Sequence, residues 1–274
     1  MGHSVFTRKG QRLRGFLVGC TALLLLAPPA FADDQKPSAT ESTAQSSAPP
    51  PDFMLGRPHL SFGVKGSWFM ASTGSDFYET VTKTLTLEKS NFHTGTFSFE
   101  GGFNVHPRLE ITGTIDLNRL NQPSEDRENH ELLSNGTFAP IRQTTELAET
   151  NFTGSAKFLL IPRGRSISKL AWIPNTIVPF VGAGAGIGKY NLSQDGDFVD
   201  YSDLHIFTDT FHSEGWSPVV HVFGGTDVQI QRHIILSFEG RYTWQHADLS
   251  ADFVNFDAIE LGGLRFGGGV HFAF

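Results

Sequence analysis

The sequence predicts an all-β chain folded as an eight-stranded antiparallel transmembrane β-barrel in up-and-down order, and three observations carry the prediction. Eight segments of alternating polarity follow residue 58, each reaching the roughly 9 to 11 residues that a tilted membrane-spanning strand needs. Short and long connections alternate between them. Past the first 32 residues no apolar run approaches the ~18 residues of a spanning helix, so a membrane crossing has to be made by strands.

Residues 1–14 carry Arg8, Lys9, Arg12 and Arg14, residues 15–26 form an apolar core, and Ala30-Phe31-Ala32 is a small-x-small cleavage site before Asp33. Residues 1–32 therefore read as a signal peptide. Leu17-Val18-Gly19-Cys20 resembles a lipoprotein box, but the stronger apolar run, residues 22–27, would then follow the modified cysteine. Residues 33–56 are rich in Ser, Ala, Thr and Pro with almost no large apolar side chain before Phe53. Such a composition cannot form a core and reads as a disordered periplasmic linker, leaving residues 57–274 for the barrel. Removing the leader's four cations takes the formal charge from −7 to −11, which disfavours nucleic acid as a partner. Cys20 is the single cysteine, so the exported chain would have neither disulfides nor thiol chemistry.

The strands are expected at 59–70, 94–105, 109–120, 151–161, 177–192, 218–230, 234–246 and 259–274. Residues 106–108 and 231–233 are short connections suited to the periplasmic side. Residues 71–93, 121–150, 193–217 and 247–258 are long loops suited to the exterior. Residues 162–176, with Arg163, Arg165, Lys169 and Trp172, should form a periplasmic turn, yet their length has no explanation in this pattern.

Lys or Arg facing lipid at mid-membrane costs about 2 to 4 kcal/mol, so each strand has one permissible register. The second strand sends Phe97, Phe99, Phe103 and Val105 outward and keeps Ser98, Glu100 and Asn104. The third sends out Leu109, Ile111, Gly113, Ile115 and Leu117 and keeps Glu110, Thr112, Thr114, Asp116 and Asn118. The seventh sends out Ile234, Leu236, Phe238, Tyr242 and Trp244 and keeps Ser237, Glu239, Arg241, Thr243 and Gln245. In the last strand Leu264, Phe266, Gly268, Val270, Phe272 and Phe274 share one face, opposite Arg265, Gly267, Gly269, His271 and Ala273. A soluble β-sandwich, which would turn its Phe face inward, is the structural alternative.

Collected, the inward charges are Lys65, Lys157, Arg241 and Arg265 against Glu100, Glu110, Asp116, Asp227 and Glu239. An eight-stranded barrel is just wide enough for side chains to fill it, so these nine groups should form a buried salt-bridge network, a plug and not a pore. The fifth strand holds Gly182, Gly184, Gly186 and Gly188 in a GxGxGxG run with no helix after it, which does not match a dinucleotide-binding GxGxxG. In the barrel register these glycines face inward, leaving room for long Arg, Lys and Glu side chains from other strands.

The leader, the eight strands, the segments PFVGAGAGIGKY and LSFEGRYTWQHADL and the Phe-terminated last strand together resemble the small bacterial outer-membrane β-barrel superfamily, which includes the OmpA membrane domain and the Ail and OmpX surface proteins. The resemblance spans residues 57–274 and implies a barrel in the outer membrane of a Gram-negative cell. It also implies that Phe266, Val270, Phe272 and Phe274 form the C-terminal signal read by the outer-membrane assembly machinery. The periplasmic peptidoglycan-binding domain of OmpA is not expected, because the sequence stops with the barrel.

Some barrels of this group act on lipid A. Phe211-His212-Ser213-Glu214 sets His, Ser and an acid in a row, but neighbouring side chains on an extended segment point apart, whereas the group's deacylases use His-x-Ser. Asp195, Asp197, Asp200 and Asp203 lack the twelve-residue pattern and terminal Glu of an EF-hand and read as a solvated acidic loop. Phe198, Tyr201, Phe207, Phe211 and Trp216 alternate through that stretch, so it could extend its two strands above the membrane or meet a partner. Lipopolysaccharide phosphates would repel its carboxylates unless divalent cations bridge them.

The expectation is a monomeric, non-enzymatic outer-membrane barrel without catalytic, cofactor or metal site. It would be surrounded by outer-membrane lipids and lipopolysaccharide, with a structural or adhesive role in which its long loops could meet an extracellular ligand. A small passive porin-like channel and a lipid A-modifying enzyme are the alternatives.

Overall fold

Polarity that alternates with period two gives every strand one apolar and one polar face, and a single sheet satisfies both by curling until its edges meet. The computed structural model describes residues 56–274 other than 169, 170, 201, 202, 204 and 254. The signal peptide, Cys20 and the linker up to residue 55 lie outside the described residues.

In chain order the elements are β1 (Leu60–Ala71), α1 (Asp76–Thr84), β2 (Thr94–His106), β3 (Leu109–Leu132), β4 (Phe138–Leu159), β5 (Gly164–Ser168), β6 (Ala171–Pro174), β7 (Ile177–Asp200), β8 (His205–Gln229), β9 (Ile234–Ala247), β10 (Ile259–Glu260) and β11 (Gly263–Ala273). Eight of them close an antiparallel ring in the order β1-β2-β3-β4-β7-β8-β9-β11. The seam pairs Ser61 with Ala273 through to Ala71 with Gly263, and the last residue completes it: Phe274 N–H donates to the Leu60 carbonyl at 2.8 Å. No ring strand is left with a free edge inside the apolar band, which removes the aggregation liability of an open sheet.

The outward rows are apolar. Phe62, Trp68, Phe97, Phe99, Phe103, Ile115, Phe152, Val181, Val220, Phe238, Trp244, Phe266 and Phe272 are all exposed. On β3 the outward positions from Leu109 to Leu117 carry no charge before Arg119, and on β7 the first is Lys189. Nine residues of tilted strand span about 25 Å, the height of an outer-membrane barrel's apolar band. Burying such a Phe-rich face is what a soluble sandwich would require; here that face is on the outside.

Three expectations need correction. The segments 121–150 and 193–217 are strand for most of their length, not loop: Asn121 to Glu125 still pair with Glu146 to Arg142, and Gln194 to Asp200 pair with Phe211 to His205. Above the membrane the outer face can be polar, so the strands continue without the apolar signature that marks them below. Cross-strand ion pairs Arg119–Glu146, Arg142–Glu125 and Lys189–Glu214 decorate that outer face. The segment 71–93 contains α1, whose Phe77, Tyr78 and Val81 are buried and whose acidic first turn (Asp76, Glu79) and basic last turn (Lys83) suit the helix dipole. Finally, 259–274 is two strands: a Cβ on Gly262 or Gly263 would meet the backbone of Thr243 or Met70, and the chain kinks there.

Candidate functional site: the barrel interior and its outer cap

Side chains at alternate positions of all eight ring strands point at one axis, and the interior is built in layers along it. Nearest the short-turn end, Lys157 Nζ lies 2.9 Å from Asp227 Oδ2 and 3.9 Å from Glu110 Oε2. Arg163 joins both carboxylates, at 2.5 Å from Glu110 and 2.9 Å from Asp227. Ser61 donates to the other Glu110 oxygen at 2.8 Å. In the middle layer Lys65 lies between Glu100 and Glu239, at 2.5 and 3.0 Å, and Glu239 also accepts from Arg241 at 2.8 Å. Arg241 and Arg265 converge on Asp116 at 3.5 and 3.1 Å, and Ser98 donates to that carboxylate at 2.5 Å. Every ionic side chain in these layers is 10% exposed or less.

Three aromatic rings also turn inward, each beneath a cation. Lys157 stands 3.9 Å from the Phe180 centroid, Arg265 4.8 Å from Phe69 and Arg241 5.2 Å from Phe223. Each ring faces the charged head itself, so the same head meets an aromatic face and a carboxylate.

The nine charged residues named from the sequence all lie inside the ring, in these two layers. Arg163 was missed, and it resolves the unexplained length of 162–176. The β5–β6 hairpin folds back on itself, Asn175 N–H donates to the Arg163 carbonyl at 2.7 Å, and Trp172 packs buried against Gly164. This connection is therefore a stopper that inserts a guanidinium into the barrel. With it, five cations face five carboxylates in these two layers, and a sixth interior carboxylate, Glu149 of β4, which was also missed, lies buried opposite Asn118. Only the unusual length and the arginines of the connection hint at this in the sequence.

The glycine row of β7 faces inward, but long charged side chains do not fill the space it leaves. A Cβ on Gly182 would meet Phe223, one on Gly184 would meet Ser155 and His221, and one on Gly188 would meet Asn151 and Gln245. Ser155 Oγ and His221 Nε2 are 2.9 Å apart, and Gln245 donates to Ser217 Oγ at 3.0 Å. The glycines thus admit a middle belt of Phe, His and amide side chains.

At the long-loop end an apolar cap closes the mouth. Phe77, Tyr78, Val81 and Leu85 from α1 and its C-terminus meet Leu120 of β3, Leu147 of β4, Tyr190 and Leu192 of β7, and Phe253, Ile259 and Leu261 from the last loop. Rings interlock edge to face, Tyr78 on Phe92 at 4.7 Å and Phe77 on Phe253 at 5.9 Å. Burial raises the Tyr78 phenol above its ordinary range, and its hydroxyl donates to the Glu260 carbonyl at 3.0 Å. Ser213 is buried and bonded to Tyr190 and Ser250, whereas His212 and Glu214 lie on the exposed face; the three do not converge. Asp195 and Asp197 accept from Thr210 and Thr208 across the sheet, and among the described residues no group of three acidic, His or Cys side chains is placed to hold a metal ion. Phe266, Phe272 and Phe274 stand exposed on the outer wall with Val270 half-buried between them.

The ring of paired strands decides the architecture. The chain is an eight-stranded antiparallel β-barrel, the fold implied by the resemblance to small outer-membrane barrels. No protein-family model matches the chain, and no curated protein matches it. Among solved structures, Neisserial surface protein A is 11% identical, with a TM-score of 0.45, over 78% of this chain and 97% of that one. The N-terminal β-barrel domain of Pseudomonas aeruginosa OprF is 10% identical over 80% and 99%, with a TM-score of 0.36. Ail, the attachment invasion locus protein of Yersinia pestis, is 11% identical over 80% and 100%, with a TM-score of 0.37.

Proposed function

We propose that this chain is a monomeric, non-enzymatic protein of the bacterial outer membrane, exported by a cleaved signal peptide. Its solute-tight barrel would hold a β-blade outside the cell for contact with a surface partner. One observation carries the proposal: β3, β4, β7 and β8 continue as a hydrogen-bonded sheet well beyond Arg119 and Lys189, where the uncharged outer band ends. A barrel needs only enough strand to cross the membrane, and further sheet in water has to be maintained for some other end. The apolar outer rows support a lipid surround, and the closed ring, with no edge to share, supports a monomer. Two ionic layers and the aromatic cap support a barrel that conducts nothing.

The test uses the full chain expressed in a Gram-negative host. An epitope inserted at Asn135, in the tip between β3 and β4, should be reached by antibody on intact cells, and the purified protein should give no steady conductance in planar bilayers. Shortening both hairpins, at the Pro123–Thr144 pair and at the Gln194–Phe211 pair, should leave the barrel inserted while abolishing binding of the cells to host-cell or matrix surfaces. A buried epitope, a steady conductance, or unchanged binding by the shortened protein would each overturn the proposal.

A further inference from the structure

Between α1, the inner face of the blade and the last loop lies a cavity of about 230 Å³ that the packing of the cap leaves open. Five phenylalanines line it: Phe77 of α1, Phe198 of β7, Phe211 of β8, and Phe253 and Phe256 of the last loop. They form one connected set of rings, with Phe198 on Phe211 at 4.5 Å, Phe211 on Phe253 at 6.3 Å, and Phe77 on Phe253 and Phe256 at 5.9 and 5.8 Å. The lining also holds two carboxylates, Asp126 and Asp252, and neutral polar side chains such as Gln143 and Gln194, and no Lys, Arg or His is in it among the described residues. A second cavity of about 300 Å³ shares Thr80, Thr84 and Asp126 with the first and adds Glu79, Glu128 and Lys83. This neighbouring cavity is therefore acidic on balance.

Both aspartates are anchored. Asp126 Oδ1 accepts the backbone N–H groups of Glu128 and Asn129 at 2.9 and 2.8 Å, and Asp252 Oδ2 accepts the His212 N–H at 2.8 Å. Each spends one oxygen on the fold and is held fixed at the cavity wall. Aromatic faces attract a cation through their quadrupole, and fixed carboxylates add charge. The cavity fits a molecule of roughly ten heavy atoms, below the usual size of a drug site.

We propose that this cavity is a binding site for a small organic ammonium compound with an apolar body, its cationic head between Asp126 and Asp252 and its body against the phenylalanines. The cavity takes Phe198 and Val199 from the end of β7, so the blade that offers it is the one proposed above; the probes below read the cavity alone, whereas loss of cell binding reads the surface partner.

Three soluble probes that share a benzyl group and differ in charge separate the forces: benzyltrimethylammonium, benzyl alcohol and phenylacetate. Each is titrated into the full barrel in zwitterionic lipid nanodiscs, followed by ligand-observed saturation-transfer NMR, with empty nanodiscs subtracted. The ammonium probe should bind about tenfold more tightly than the alcohol, and the carboxylate should not bind measurably. D126N and D252N keep an acceptor for the backbone N–H groups, and each should remove most of the ammonium preference while the alcohol still binds. T80W, which puts an indole at the α1 wall that the two cavities share, should abolish binding of both, with folding checked by gel mobility before and after heating. Equal affinity for all three probes, no binding by the wild-type protein at millimolar concentration, or an ammonium preference retained in both Asn variants would overturn the proposal. The wild-type probe series decides the matter even if a variant fails to fold.

Discussion

Arg163→Ala tests whether the 162–176 connection is a working part of the barrel. The wild-type layer near the short turns holds two cations, Lys157 and Arg163, and two anions, Glu110 and Asp227, with side chains at most 10% exposed. Removing the guanidinium leaves both carboxylates with one cation, 2.9 Å from Asp227 but 3.9 Å from Glu110, so Glu110 becomes a buried, weakly compensated charge. Breaking a buried pair from one side typically costs about 3 to 5 kcal/mol, a large part of a barrel's stability if that lies in the ordinary range of about 5 to 15 kcal/mol. Glu110→Gln made together with Arg163→Ala restores the charge balance, and the double variant should lose less than the two single losses summed, by about 0.5 to 3 kcal/mol. The assay is urea unfolding in lipid vesicles followed by tryptophan fluorescence. If Arg163→Ala unfolds within about 0.5 kcal/mol of wild type and the losses add, the connection is a solvated turn and the stopper is disproved.

Arg241→Ala and Glu239→Ala should each destabilise the barrel, and the double variant should lose less than the sum because both belong to one layer with Lys65 and Asp116. Additive losses together with a new steady conductance in single-channel recordings would instead mark pore-lining charges. Gly188→Leu drives a side chain into Asn151 and Gln245 and should cost about 1 to 3 kcal/mol in the same unfolding assay, whereas an unchanged midpoint would mean that the glycine row packs against nothing. Deleting Phe274, whose N–H closes the seam on Leu60, should cut outer-membrane levels far more than deleting residues 35–48 of the linker, as immunoblots of membrane fractions would show; equal levels would remove the assembly role.

How legible each part was depends on which physical constraint acted on it. Inside the membrane a strand that presents Glu110 or Asp116 to lipid is heavily penalised, so alternation is strict and the registers of β2, β3, β9 and β11 could be read directly. Above it the same strands meet water on their outer face, where Arg119, Asn121, Pro123 and Glu125 are all tolerated, and the pattern fades into what looks like loop. Helix α1 is nine residues long, too short for a convincing period, although Phe77 and Val81 stand at the i, i+4 spacing. Arg163 could not be placed because its partners lie far away in sequence, Glu110 on β3 and Asp227 on β8, and only the closed ring brings them together. What fills the space over the glycines of β7 was misjudged for a related reason: an inward glycine leaves room, but does not say whether an arginine or Phe223 of the neighbouring strand takes it.

Why a barrel filled by side chains should contain ion pairs at all follows from the side-chain period of two. A strand slipped by one residue against its neighbour exchanges its faces completely. Were both faces apolar, that slip would cost little in a membrane, and many registers would compete. With Lys65, Glu100, Glu110, Asp116, Lys157, Asp227, Glu239, Arg241 and Arg265 on the inner face, a slip of β3 alone carries Glu110 and Asp116 into lipid, takes one of two carboxylate partners from each of Arg163, Lys157 and Arg241, and takes Asp116 from Arg265. The ionic layers thus specify the register that the apolar outer face, taken alone, leaves weakly determined. The blade has no such lock, since Arg142–Glu125 and Lys189–Glu214 are solvent-exposed pairs worth about 0 to 1 kcal/mol each. Its register is inherited from the barrel below and held by α1 and the last loop packed against Leu120, Leu147 and Leu192. The cap therefore has a structural duty toward the blade as well as the mouth, which places the phenylalanine-lined cavity in the layer that couples the rigid barrel to the sheet outside.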